Sequence, residues 1–326
     1  MVVVRAGGNV KTLRNMGIKT VCRLVIAILP ALLAAGCDKE MNTELPADAQ
    51  VPVEIAGATI AAGVQTRTAS TITAGSIGVF RTDANGYLPE YNVQYTYKGG
   101  WSPDITALVV GNANATLCAY YPYNAASFAA NSTTCTITVQ PYDAGKDLCY
   151  ATTGGTDVCN YTPSASFVMR RAYARLKLSI TRTDYVGDCN IANVNIRDGA
   201  ANNFVTSRTL DISNGNYSGE VYTNGGWMNS LNPGNIAPDA TNDKCDVLVP
   251  PQAINGGLAI TLFVDGEKRG VTVPAARFSN ELSAGKQYTI KLTIKRLSVT
   301  ANMTVVSTYR PEDDDTVIQN DVPTEI

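Results

Sequence analysis

Short runs that alternate apolar and polar side chains, separated by turn residues, fill most of this chain and point to a β-fold. Residues 175–182 read RLKLSITR, with Leu176, Leu178 and Ile180 on one face and Arg175, Lys177 and Ser179 on the other. A period of two is the signature of a half-buried strand. Further β-type runs fall at 51–55, 76–81, 93–98, 116–121, 135–140, 167–169, 192–197, 209–212, 220–222, 247–249, 258–264, 270–273, 288–294 and 298–307. Turn clusters punctuate them, among them Asp83-Ala84-Asn85-Gly86, Gly99-Gly100 and Asp265-Gly266-Glu267. Asn-Gly and Asp-Gly pairs accept the positive φ that hairpin turns demand. Beyond the N-terminal segment no window of 12 residues carries a helical apolar stripe. Many short strands at regular spacing predict sandwiches, and there are too many for one. The reading is two tandem β-sandwiches over residues 51–166 and 167–309, with an acidic tail at 310–326.

The N-terminus predicts export. Residues 24–35 read LVIAILPALLAA, preceded by Lys19 and Arg23 and followed by Gly36-Cys37. A basic start, a short apolar run and small residues describe a signal peptide, here residues 1–36, too short for the roughly 20 residues of a membrane span. Initiation at Met16 would give a signal of the usual length. Ala34-Ala35-Gly36-Cys37 resembles a bacterial lipobox, with Ala34 where Leu is usual. Cys37 is therefore the expected lipidation site and the first residue of the mature chain. Acyl chains anchor because each buried CH₂ contributes about 0.8 kcal/mol. Residues 37–50 are polar and contain Pro46, the composition of a tether.

Composition narrows the chemistry. Lys and Arg total 26 against 28 Asp and Glu, a formal charge of −2, so no basic excess exists to neutralise nucleic-acid phosphates. The chain has no histidine. Ser-His-Asp and Cys-His nucleophile systems and most zinc sites are thereby excluded. Carboxylate, Lys and Tyr chemistry stays open, but no cofactor fingerprint or paired-carboxylate motif accompanies it. The expectation is a protein that is not an enzyme and holds no cofactor or metal. Glu312-Asp313-Asp314-Asp315 lacks calcium-loop spacing and reads as a solvated tail. Tyr120-Tyr121-Pro122-Tyr123 reads either as strand-end packing or as a stacking platform for sugars.

Six cysteines follow the anchor: Cys118, Cys135, Cys149, Cys159, Cys189 and Cys245. An even number in an exported chain suggests disulfides, with buried free thiols as the alternative. Short loops close most easily, which favours Cys118–Cys135, Cys149–Cys159 and Cys189–Cys245.

Several phrases together resemble the fimbrillin family, the type V pilins of Bacteroidales and their accessory lipoproteins. They are Ile77-Gly78-Val79-Phe80, Ala119-Tyr120-Tyr121-Pro122-Tyr123, Lys146-Asp147-Leu148-Cys149-Tyr150-Ala151, the stretch 167–178 (FVMRRAYARLKL), Leu248-Val249-Pro250-Pro251-Gln252, and 282–288 (LSAGKQY). They occur in the family's order over nearly the whole mature chain. Two positions depart from it: Cys149 replaces an apolar residue, and Met169-Arg170-Arg171 stands where many relatives carry a histidine.

The resemblance implies two transthyretin-like sandwiches and a pilus subunit or fimbrillin-like surface lipoprotein. It implies an outer-membrane, surface-exposed or fimbrial location, and partners that are other pilin subunits or further copies of the chain. Asp38-Lys39-Glu40 resembles the export signals of such lipoproteins, or is a plain tether. The family's precursors are cleaved after an Arg in the loop following the first strand. Arg67, in a polar Ala/Gly/Thr-rich stretch, matches that position or is an ordinary surface residue. Loss of the first strand would leave unpaired backbone groups for another subunit's C-terminal strand to fill. Residues 298–307 could be such a donor or the last strand of their own domain. The other implied role is a monomeric adhesin or glycan-binding module on the same scaffold, with host or bacterial surface glycans or proteins as partners.

Overall fold

The structure, a computed structural model, describes Pro46 and residues 49–306 apart from 62–68, 83, 156, 230–232, 239 and 297. Cys37, Arg67 and the acidic tail lie outside the described residues. Strands dominate, and the other regular element among the described residues is a 3₁₀ turn at Ala275–Phe278. The first strands are β1 (Val51–Pro52), β2 (Glu54–Ile60), β3 (Ser70–Thr71), β4 (Ser76–Arg81), β5 (Glu90–Tyr97), β6 (Trp101–Pro103), β7 (Val109–Val110), β8 (Leu117–Tyr121), β9 (Thr134–Thr138), β10 (Gln140–Pro141), β11 (Cys149–Ala151) and β12 (Ser164–Arg171). The rest are β13 (Ala174–Arg182), β14 (Asn190–Asp198), β15 (Asn203–Asp211), β16 (Asn216–Asn224), β17 (Trp227–Asn229), β18 (Gly234–Asn235), β19 (Asn242–Val249), β20 (Gln252–Ala253), β21 (Leu258–Val264), β22 (Glu267–Val273), β23 (Glu281–Leu282), β24 (Gln287–Ile294) and β25 (Val299–Val306).

The N-terminal part is one eight-stranded sheet in the order β3-β2-β12-β11-β8-β4-β5-β6. It curls until β2 approaches β6. Tyr95 fastens the closure, its hydroxyl donating to Val53 O at 3.3 Å and accepting from Leu108 N at 3.0 Å. Ile55, Ala58, Ile77, Val79, Leu117 and Phe167 fill the interior. The C-terminal part packs β10-β19-β13-β24-β25 against β17-β14-β21-β22. Between the two layers lie Leu176, Leu178, Ile180, Ile196, Ile260 and Ile290. The Asp265-Gly266 hairpin forms as its sequence requires, with φ of 49° and 84° joining β21 to β22.

Two features depart from the sequence reading. The expected boundary at 166–167 falls inside β12, which belongs wholly to the first sheet, and the chain enters the second sheet system at Ala174. Strands β9 and β10, from the first half, pair with β15 and β19 of the second. A third apolar cluster bridges the halves, with Phe80, Tyr120 and Phe128 beside Leu210, Ile212 and Leu248. The polar face of β13 is the second departure, because it is buried. Arg175 is bidentate to Asp246 at 2.6 and 2.9 Å, and its guanidinium lies 3.4 Å from the Tyr142 ring centre. Lys177 pairs with Asp243 at 3.4 Å.

Candidate functional site

Strands β1 and β2 form one stitched segment that can be traced residue by residue. β1 pairs antiparallel with β7, Val51 opposite Val110 and Pro52 opposite Val109. The chain then changes partner. Val53 N donates to Leu108 O at 2.7 Å, and Glu54 N donates to Pro163 O at 2.8 Å. From there β2 runs parallel to β12, from Glu54 opposite Ser164 to Ile60 opposite Met169. Parallel pairing between segments over 100 residues apart is a long-range decision that no local pattern announces. Ile55 faces Ala165 and Gly57 faces Ser166, so Ala56 is an unmatched bulge residue.

The bulge sets the side-chain pattern. Val53, Ile55 and Ala58 are the buried positions, spaced two and then three apart. Ala58 is fully buried in the first core, and its carbonyl accepts from Ile72 N at 2.9 Å. The segment closes with Ala61 N donating to Met169 O at 2.7 Å. Arg67 lies in the undescribed stretch 62–68 that follows. The chain returns as β3, antiparallel to the end of β2, with Thr71 opposite Thr59 and Ser70 opposite Ile60. Any cut within 62–68 would therefore leave β3 on the body of the protein and β1–β2 held only by non-covalent contacts.

The C-terminal strand β25 is integrated into its own sandwich. It pairs with β24 along its whole length, from Val299 opposite Ile294 to Val306 opposite Gln287. Val299 and Met303 face the second core, and Val305 is exposed. Of the two readings of this segment, the structure shows the last strand of the second half.

The remaining site expectations fall in several places. Cys118, Cys135, Cys149, Cys159 and Cys189 are free thiols, so none of the three expected bridges is closed. Cys118 and Cys135 share the bridging core, and Cys189 and Cys245 share the second core. Cys149 sits in the first core, whereas Cys159 lies in a loop bridge with Thr162. Burial pushes the thiols of Cys118, Cys135 and Cys149 up to about 12, and the Asp211 carboxylate adds to this for the first two. The Thr162 hydroxyl lowers that of Cys159. Tyr120 is core rather than platform. It is fully buried, with its ring centre 4.5 Å from that of Phe128. No cluster of three metal-ligating side chains occurs among the described residues.

The phrases that carried the resemblance converge in space. Gly78 of β4 lies opposite Tyr120 of β8, Tyr120 opposite Tyr150 of β11, and Cys149 opposite Arg171 of β12. Asp147 and Arg171 form a buried ion pair at this seam, which sequence reading missed. Both residues stand inside the quoted phrases, and only the strand pairing shows that they meet. Gln252 acts as an artificial strand residue, accepting from Val205 N at 2.9 Å and donating to Val205 O at 3.1 Å. Tyr288 closes the 282–288 turn, accepting from Ser283 N at 2.9 Å.

These features define an all-β protein of joined sandwiches whose first strands precede the undescribed residues 62–68 and are held to the body by strand pairing. The chain belongs to the fimbrillin-like family, whose sequence profile matches residues 66–309. Among solved structures, a candidate cell adhesion protein of Bacteroides uniformis shares the fold at a TM-score of 0.55 and 21% identity, over 79% of this chain and 98% of that one. A second candidate cell adhesion protein, of Bacteroides ovatus, aligns at a TM-score of 0.57 and 16% identity, over 81% of this chain and all of its own. No curated protein sequence matches the chain.

Proposed function

We propose that this protein is a non-catalytic, surface-exposed fimbrial subunit that is exported as a lipoprotein and assembles by exchanging its first strand. Cys37 carries the lipid that holds the precursor at the outer membrane. Cleavage after Arg67 frees the β1–β2 segment, and a strand from another subunit takes its place. The supporting observation is the construction of that segment. It buries Val53, Ile55 and Ala58 in the first core, and its covalent link onward to the body runs through the stretch that contains Arg67. Vacating it would bare the backbone of β12 and β7 and an apolar groove, a state that demands a new strand. The family match covers residues 66–309, so β1–β2 precedes the matched region.

A second reading, favoured by the integration of β25 into its own sheet, is a terminal or stand-alone adhesin that donates no strand. Intact-mass and N-terminal analysis of protein from native cells tests both. Acyl mass on Cys37 marks the precursor, and a new terminus at Thr68 with SDS-resistant multimers marks the assembling subunit. Acylated, uncleaved monomer throughout would refute strand exchange and leave the adhesin. Cys37→Ala should remove the acyl mass and release the protein from the membrane fraction, and unchanged retention would refute the anchor.

A further inference from the structure

We infer that the slot occupied by β2 selects its occupant by spacing and size. It admits a strand with two aliphatic residues two apart and then a small residue three further on, and β25 of a second copy does not fit it. The inference rests on the strand-exchange reading above. The native occupant supplies the template: Val53 and Ile55 are buried, Ala56 bulges without a partner on β12, and Ala58 is fully buried. Because of the bulge, the third position is set three residues on rather than two. Removing the extra residue would move every later side chain to the opposite face. Glu54 and Ala56 are exposed and leave their positions open to any residue.

Ala58 is the selective position. It sits opposite Phe167, and its carbonyl is tied to Ile72 N. Neither neighbour belongs to the part that cleavage removes. A close-packed site built for one methyl group rejects a larger side chain by overpacking. The eight residues of β25 allow three registers in this spacing. They place Thr304, Val305 or Val306 in the Ala58 position, all β-branched and larger than Ala. With β25 excluded, the occupant is an extended segment of a partner subunit that carries Ala, Gly or Ser at that point, as β2 itself does.

The test uses the full mature chain with residues 62–68 replaced by the recognition sequence of a site-specific protease. After cutting, labelled synthetic peptides spanning 49–61 compete for the slot, and incorporation is read by gel filtration. The wild-type and Ala56→Leu peptides should incorporate alike. The Ala58→Leu peptide should fall by about fivefold or more, the factor expected of overpacking by some 1–3 kcal/mol, and the peptide lacking Ala56, whose later side chains turn to the other face, should fall at least as far. A peptide of residues 298–306 should not incorporate. If Ala58→Leu, the deletion or the 298–306 peptide incorporates as well as wild type, size selection is overturned while strand exchange stands. If the wild-type peptide itself never incorporates, both fail.

Discussion

Gly78→Ala should be among the most destabilising single-methyl changes in the protein. Gly78 lies in β4 directly opposite Tyr120 of β8. A Cβ there would fall 2.1 Å from Tyr120 Cε1, 2.6 Å from Asn92 Oδ1 and 2.8 Å from Tyr120 Cζ. The ring cannot swing aside freely. It is fully buried, packed on Phe128 and Phe80 at centroid distances of 4.5 and 5.9 Å. Its hydroxyl lies 2.9 Å from both Asn92 Oδ1 and Asn124 O, and accepts from Asn124 N at 3.1 Å. Overpacking costs about 1–3 kcal/mol, and each hydrogen bond broken adds about 0.5–1.5 kcal/mol. With one or two bonds lost, the sum is about 1.5–6 kcal/mol, a large share of a typical total of roughly 5–15 kcal/mol. Denaturant unfolding measures it. With Tyr120→Leu already in place, the same glycine change should cost less than about 1 kcal/mol, and the double-mutant cycle isolates that coupling. A Gly78→Ala protein within about 0.5 kcal/mol of wild type, or a cycle without coupling, would refute the close-approach explanation.

The buried pair at the β11–β12 seam gives a second expectation. Arg171→Met should cost about 3–5 kcal/mol because it leaves the Asp147 carboxylate buried without its counter-ion, and adding Asp147→Leu should recover much of that. Equal loss in the single and double variants would show that the pair is not what the seam depends on. The thiols give a third. In folded, reduced protein at pH 8, a thiol near 12 is ionised to the order of one part in ten thousand, so iodoacetamide should label Cys159 well before Cys118, Cys135 or Cys149. Peptide mapping over time reads the order, and equal rates would contradict the burial assigned to the three.

The class of the fold was legible in local pattern because strand periodicity and turn chemistry act over a few residues. Leu176, Leu178 and Ile180 announced a core face, and Asp265-Gly266 announced its hairpin. The ordered phrases from Ile77 to Tyr288 led to the family before any strand was paired. Only the tertiary structure could place Arg175 and Lys177 under a cover, because that cover is Tyr142, Asp243 and Asp246 from distant segments. Asp147 and Arg171 likewise stand 24 residues apart and meet only because β11 lies beside β12. The slot itself was decided at the same range. Its parallel pairing joins residues 54–60 to 164–169, and its size filter at Ala58 comes from a bulge in that register. Sequence alone supplied the strand, its aliphatic residues and an Arg in the loop beyond it. Which backbone the strand lies against depends on contacts too far along the chain for any local pattern to encode, and the residue size it tolerates follows from those contacts.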